Sequence, residues 1–558
     1  MRAPRRPLAR ASSGRHRRSA AARWLSARLL PAGILALAAC TTAPGPTATV
    51  GTLPSTPFPL GEVGLAETRS VEQLAPGLYH HHVYRGGAGR AAGHWTVSGP
   101  VARTPSERAQ ARACLESTGV GVVSQAFFTP GGNPKPYAIL AGGEFPTEAA
   151  ARAAIASTPR PNCRLSVQHS SGDPQRSAGP WSIHVLEVRP RLYRGRLISA
   201  LGQDTVAGTE RTSDMARRHQ ASAAINGGFF VIGADEGVPG EPAGLAVLRG
   251  KVLSEPTLNR PYLLLRDGDP VSAEVVGTLE RSPLRVRWGD GARSRVDGVN
   301  RQPGLIRNCG VLGSLSTERP VHDATCSSPD ELIAMTEEAG FRVTGSDAQA
   351  LLIHPGGKTE AASPSAVPGE GQILLVATGK AAIELADRAQ RRPTAVVDLS
   401  YRAIDPRAPP RVLPRTYVVN GGPHLIEHGA PVRRDDMEGW LIAPETDATW
   451  ASRVHSWVNR RNPRTAAGVA ADGTIYLLTV DGREFEGEGR QGSLASVGMT
   501  IEELRLVMAH LGAHDAINLD GGGSTTLIVR GRLMNKPSDK SGERPVGDAI
   551  LLPARQSK

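Results

Sequence analysis

Asn518-Leu519-Asp520-Gly521-Gly522-Gly523-Ser524-Thr525-Thr526 sets one carboxylate between an apolar run and three consecutive glycines. Ala516 to Leu519 reads as the end of a buried strand and Thr525 to Val529 as the next, so the glycines form the connection. Glycine reaches backbone angles closed to other residues and carries no side chain, so successive N–H groups in such a loop can converge on an anion beside Asp520. A tight turn capped by Asp is the competing reading. Upstream, Thr500 to Leu511 reads as a helix with Thr500 and Glu503 as a capping box, an apolar face of Ile501, Leu504, Val507, Met508 and Leu511, and Gly512 as its stop. The helix feeds the strand that ends at Asp520, which puts the carboxylate on rigid scaffold. Thr465 to Ala470 and Thr474 to Val480 read as strands joined by Asp472-Gly473.

Three further stretches carry candidate site residues. Arg461-Asn462-Pro463-Arg464-Thr465 and Gly542-Glu543-Arg544-Pro545 each set an arginine beside a residue that resists regular structure. A guanidinium is a planar fork that matches phosphate or carboxylate oxygens; solvated surface arginines are the alternative. In Ala224-Ile225-Asn226-Gly227-Gly228-Phe229-Phe230 an Asn-Gly-Gly turn closes an apolar strand, and Tyr417-Val418-Val419-Asn420-Gly421-Gly422 repeats the arrangement. The two turns read either as facing backbone nests or as plain hairpin turns.

Taken in order, Asn226-Gly227-Gly228-Phe229, Asn462-Pro463-Arg464-Thr465-Ala466, Asn518 to Thr525 and Glu543-Arg544-Pro545 resemble the motifs of the phosphodiester glycosidase family. The resemblance covers residues 183–555 and lapses over 231–415, where no motif matches. It implies an α+β, mixed-sheet domain that cleaves a sugar from a sugar-1-phosphodiester, with Asp520 as nucleophile, base or electrostatic stabiliser and Glu543 as second carboxylate. Arg464 and the nest of Gly521, Gly522, Gly523 and Ser524 would hold the phosphate. Asn226, Gly227, Gly228, Thr465, Asn518 and Thr525 would line the site and orient the substrate, and Arg544 would clamp the phosphate or brace Glu543. A phosphate monoester is a good leaving group, so one carboxylate with well-placed donors can suffice. No cofactor or catalytic metal is required by this reading, and a structural calcium stays open. Two alternatives remain at this point: a non-catalytic envelope protein that binds peptidoglycan, and a phosphodiesterase that cuts the P–O bond.

The chain has 558 residues and a net charge of +12. Nine of its arginines, with no lysine or acid, fall in residues 1–39, which leaves +3 for the remainder, so the basic balance belongs to a leader and not to a nucleic-acid surface. The apolar run Leu29 to Ala39 reads as an export signal, and Leu37-Ala38-Ala39-Cys40 resembles a bacterial lipobox with Cys40 as the lipidated residue. An exported, membrane-anchored lipoprotein of the periplasm or outer membrane is the expectation. Beyond Cys40 stand four cysteines, and Cys114 with Cys163 and Cys309 with Cys326 is the simplest of three pairings. The expected division is a signal at 1–39, a tether at 40–76, a small domain at 77–170, a linker at 171–180 and the large domain at 181–555. Within the small domain the order of elements is βαββαβ, and Pro136 to Thr147 with Ala149, Ala150 and Ala151 resembles a SPOR domain, which implies peptidoglycan bound across the sheet face. His80-His81-His82 reads as an exposed polar run at the edge of that domain, Trp181 to Val188 as a half-buried strand, and Asp330 to Ala339 as a helix.

Overall fold

In the computed structural model, residues 53–555 are described apart from 87–93, 128–136, 157–162, 171–178, 278–283, 310–320, 346, 392–393, 400–413, 434–437, 441–451 and 484–495. The leader with Cys40, the start of the tether and most of the linker lie outside the described residues. Among the described residues no helix is long and apolar enough to cross a membrane.

Two antiparallel sheets face each other across the main core. The larger runs in the order Glu67–Ala75, Leu78–Arg85, Trp181–Val188, Ile475–Val480, Arg464–Ala470, Ala513–Asn518, His424–Glu427, Ala430–Pro431. The smaller runs Arg532–Leu533, Leu527–Val529, Ala221–Asn226, Asp548–Pro553, Ile198–Leu201. Leu186, Leu477 and Ile517 of the first meet Ile225, Ile528 and Ile550 of the second. On its other face, Val185, Leu478 and Ala516 pack on Leu504, Val507 and Met508 of the helix Ile501–His510. Thr500 and Glu503 close the expected capping box at its start, a device worth roughly 1 kcal/mol. Because both faces are covered, Trp181–Val188 is buried along its whole length, where its alternation had suggested one wet face.

The hairpin Glu67–Arg85 corrects the sequence reading of the amino-terminal part. Both strands join the large sheet, Leu78–Arg85 pairing with Trp181–Val188 from Leu78 opposite Val188 to Arg85 opposite Trp181. Residues 67–85 are therefore part of the large body, and the small domain is an insertion between two paired strands. The histidine run moves with them. His80 and His81 are buried, and His82 stacks on His184 with ring centroids 4.3 Å apart. His80 Nε2 lies 3.1 Å from His184 Nδ1, while His81, on the opposite face, bonds Glu187 at 2.8 Å.

The inserted unit is a four-stranded antiparallel sheet in the order Val122–Phe127, Tyr137–Phe145, Trp95–Ala102, Ser166–His169, with the helices Pro105–Glu116 and Glu148–Ala156. Leu115, Ala151, Val97 and Leu140 share one core, so both helices cover the same face. The opposite face is occupied too. Val101, Tyr137 and Ile139 are buried there, and the Tyr137 hydroxyl sits 3.1 Å from His455 Nδ1 and accepts from Asn459 Nδ2 at 2.8 Å. The face expected to receive glycan thus abuts the large body. Cys114–Cys163 and Cys309–Cys326 are both disulfides, as the cysteine count suggested.

Among the described residues the middle of the chain builds two further five-stranded sheets, besides a three-stranded and a two-stranded one. One runs Lys251–Ser254, Ala246–Leu248, Thr416–Asn420, Tyr262–Arg266, Ser272–Val276 and abuts the sandwich. The other runs Gly298–Val299, Leu332–Met335, Ile373–Ala377, Gln349–Ile353, Thr359–Ala362, and the helix Gly379–Arg391 packs on it. The helix expected at 330–339 is instead the strand Leu332–Met335: four consecutive buried residues sit between two paired strands, and so short an apolar run carries no helical stripe.

Burial holds the His80, His82 and His184 pKa values down, with neighbouring imidazole charge adding to it at His80 and His184, and His80 falls to about 4. The unfolded chain then binds more protons than the folded one below the ordinary histidine value, so stability present above pH 6.5 is lost as pH falls toward 4. His80 alone accounts for on the order of 3 kcal/mol of that loss. Thermal melts from pH 7 to 4 should show the decline, and His80→Leu should flatten it; equal slopes in both proteins would refute the assignment.

Candidate active site

Three glycine turns meet at one end of the sandwich. Asn226-Gly227-Gly228 ends the strand Ala221–Asn226, Asn420-Gly421-Gly422 ends Thr416–Asn420, and Asp520 with its glycines follows Ala513–Asn518. Asp520 N donates to Gly227 O at 3.2 Å, and Gly227 N to Asp548 O at 2.9 Å. Asn226, fully buried, accepts on Oδ1 from the Thr465 hydroxyl at 2.8 Å and Thr526 N at 3.2 Å, and donates from Nδ2 to Asp520 O at 2.8 Å. Asn420 pairs with both backbone groups of Phe229, at 2.9 and 3.1 Å. Asn518 Nδ2 reaches Gly422 O at 2.8 Å, and Gly422 N reaches Asn518 O at 2.8 Å. The two Asn-Gly-Gly turns therefore face each other, and their glycines let backbones meet: a Cβ on Gly227 would lie 2.5 Å from Asp548 Oδ1.

Inside the Asp520 turn most amides are already engaged. Gly521 N donates to Asp520 Oδ1 at 2.8 Å, Gly522 N to Pro463 O at 3.0 Å, Ser524 N to Gly521 O and Thr525 N to Gly522 O. These four groups shape the loop and are not a nest open to phosphate. Asp520 itself is half-buried, and burial lifts its carboxyl to about 6 against the opposing effects of the Ser524 hydroxyl, Arg544 and the Gly521 amide. Asp548, beneath Gly227 and Gly228, is raised to about 7 by burial, while the Gly228 N–H at 2.8 Å opposes the shift and the charge of Asp520 adds to it.

The arginines divide differently from the sequence expectation. Arg464 is wholly buried and faces backbone carbonyls: Nε donates to Met499 O at 2.8 Å, and Nη2 to Trp457 O and Arg460 O. It braces the turn His455–Asn459, while its Nη1 has no hydrogen-bond partner among the described residues. Arg544 pairs with Asp539 at 2.7 Å through Nε and approaches Ser524 Oγ at 3.5 Å through Nη1, which places it beside the Asp520 turn. Glu543 accepts from Ser213 N at 2.7 Å at the start of the helix Thr212–Arg218, so one of its carboxylate oxygens is committed to the fold. Two residues escaped the sequence reading. Arg483, solvent-facing and held by Asn462 Oδ1 at 2.8 and 3.1 Å, lies over Gly522 and feels the charges of both Arg544 and Asp520. Asp548 is the carboxyl coupled to Asp520; the single Asp between Gly547 and an apolar strand carried no signal.

Beside the turns stands an aromatic cluster that the sequence also left unread. Trp440 and Trp457 stack at 4.6 Å, His322 lies 4.0 Å from Trp440 and 4.8 Å from Trp457, and Phe229, next to Gly228, lies 5.3 Å from His322. Trp457 is half-buried and the other three are buried. Asp323, adjacent to His322, contributes to the field at Asp520, which ties the cluster to the same site.

Residues 332–552 match the phosphodiester glycosidase family. The match marks a phosphodiester glycosidase domain over that stretch, about two fifths of the chain. The family supports a glycosidase-type hydrolase, and the matched span contains Asn420, Arg464, Asp520 and Arg544. The chain also belongs to one family with a protein of Burkholderia pseudomallei K96243 described as exported, at 31% identity and a TM-score of 0.78 over 90% of this chain and 99% of that one. The catalytic domain of zebrafish N-acetylglucosamine-1-phosphodiester alpha-N-acetylglucosaminidase aligns over 78% of this chain and 84% of its own, at 14% identity and a TM-score of 0.30. The uncharacterized prophage protein YomE of Bacillus subtilis (strain 168) is 34% identical over 113 residues, a stretch that spans 16% of its length and 20% of this chain.

Gly227→Ala tests the packing of the glycosidase turns. Its Cβ must displace the Asp548 carboxylate, and Asp520 hangs from the same peptide through its N–H. A loss of activity of about 100-fold or more with melting temperature lowered only modestly is expected; full activity in the variant would show that the turn tolerates displacement.

Proposed function

We propose that this protein is an exported hydrolase of the bacterial envelope that cleaves a sugar from a sugar-1-phosphodiester at Asp520. The observation that carries the reading is a half-buried carboxyl flanked by two guanidinium groups, Arg483 and Arg544, at a strand end where three glycine turns meet. Cleavage breaks the C1–O bond: the phosphate monoester departs with the electron pair, positive charge grows at the anomeric carbon, and Asp520 as carboxylate stabilises or captures it before water completes the reaction. Arg483 and Arg544 supply countercharge to the departing phosphate. Asn226, Thr465 and Arg464 act by position, since their polar contacts are to protein. The exported relative and the two disulfides accord with a location outside the cytoplasm. In this reading Cys40 anchors the chain to a membrane, and the inserted small domain, SPOR-like in sequence, would have to meet peptidoglycan elsewhere than on its sheet face, which the large body covers.

Asp520→Asn, tested on UDP-N-acetylglucosamine and related sugar phosphates by mass spectrometry, should lower release of free sugar about 1000-fold with the fold retained. Turnover at the parent rate would remove Asp520 from the chemistry, and a product cut on the far side of phosphorus would make the enzyme a phosphodiesterase. Because Asp520 works ionised and its carboxyl sits near 6, kcat/KM should rise with pH through about 6 and level off above it. Arg483→Gln and Arg544→Gln should each weaken cleavage of phosphodiesters by about tenfold or more and leave aryl glycosides nearly untouched. Equal losses on both substrates would argue against phosphate recognition by these arginines.

A further inference from the structure

The middle part of the chain encloses a cavity of about 170 Å³ between Glu241, Glu255, Arg301 and Arg307, none of which takes part in the chemistry proposed for Asp520. It opens toward solvent beside Arg295, whose side chain is 54% exposed. Charge accounting within its walls leaves one group over. Arg301 grips Glu331 with two bonds at 2.7 and 2.8 Å and also pairs with Glu255. Arg307 pairs with Asp323 at 2.7 Å and Glu236 at 3.1 Å, and Arg295 with Asp297 at 3.3 Å. Every lining guanidinium thus has its acid, and every lining acid but one has its guanidinium. The exception is Glu241, 5% exposed, whose carboxyl accepts only the Val238 N–H at 3.2 Å among the described residues. A buried carboxylate without a cation costs several kcal/mol, so the site favours a ligand that supplies one.

The space decides what kind of cation. One water occupies roughly 30 Å³, so the cavity far exceeds a bare ion and suits an organic group. Its walls mix polar side chains with Leu258, Leu284, Val296 and Ile306, a combination that suits a hydroxylated ring with apolar C–H faces. We infer that the cavity is a binding site for an ammonium-bearing sugar whose amino group pairs with Glu241. Without ligand the acid keeps its proton, because burial and then the charge of Glu255 raise it to about 8 despite Arg301, the Val238 N–H and Arg307. An incoming ammonium takes the place of that proton, so binding at neutral pH releases about one proton to solvent. The site is independent of the reaction proposed for Asp520.

Titration calorimetry of the purified full chain with D-glucosamine at pH 7, in buffers of different ionisation enthalpy, tests the assignment directly. Expected are saturable binding, proton release of about one per ligand, and binding of N-acetyl-D-glucosamine, which lacks the charge, weaker by about tenfold or more. Glu241→Gln should erase that preference while leaving hydrolysis at Asp520 unchanged. No binding, equal affinity for the two sugars, or no proton exchange would overturn the site. Putrescine held as tightly as D-glucosamine would overturn its assignment to a sugar. These comparisons use the parent protein, so they stand even if Glu241→Gln folds poorly, and loss of hydrolysis alone would bear on Asp520 and not on this cavity.

Discussion

The amide of Asn226 is the point on which the site depends. It is fully buried at the end of a strand of the smaller sheet, yet its three short bonds reach the larger sheet at Thr465, the turn at Asp520 and the start of the next strand at Thr526. Each bond is worth only about 1 kcal/mol net, but removing the amide would leave a hydroxyl, an N–H and a carbonyl buried without partners, which costs more than the bonds return. Two sheets that meet only through Leu, Ile and Val could slide; an amide with both ends committed allows one relative position. Asp520 inherits that position through its own carbonyl.

Around this fixed point the charges separate into structural and solvent-facing sets. Arg464 is buried and its bonds run to carbonyls, so its burial lowers its pKa to about 9 and its work is to hold Trp457 in place, the guanidinium carbon lying 4.7 Å from that ring. Arg483 and Arg544 keep their distance from the core and stay available to an anion. The same sorting applies to acids: Glu543 caps a helix, Asp539 steadies Arg544, and Asp520 combines partial exposure with a carboxyl raised by its surroundings.

Much of the frame was legible because local rules and tertiary packing agreed. The capping box at Thr500, the hairpin at Asp472-Gly473 and both disulfides follow from short-range signals, and each is found. The glycine motifs located the site, since only they let backbones approach so closely. What the pattern could not convey was partnership across long separations. Arg464 and Arg544 have the same sequence signature, an arginine beside proline, and only burial distinguishes brace from candidate clamp. His80-His81-His82 looked polar and exposed because its cover, His184 and Ser182, lies about a hundred residues away. Leu332–Met335 was misread for a similar reason: its strand partners, not its own periodicity, fix its form.

The insertion of the small domain carries this dependence on distant partners into the site itself. Its two chain ends leave from Arg85 and Trp181, which face each other in neighbouring strands, so the domain is tethered at both sides of one ladder rung. Its sheet then rests on the segment that runs from Ser452 to Arg460: Val101 N meets Ser452 Oγ, Tyr137 meets His455 and Asn459, and Arg460 donates to the carbonyl of His169. Trp457 sits in the middle of that segment, with Arg464 gripping its carbonyl from below. The aromatic wall beside Asp520 is therefore clamped between the inserted domain and the core. Any ligand that shifts the small domain acts first on this turn, because the His455–Tyr137 contact is buried and cannot relax without exposing an imidazole that burial holds neutral.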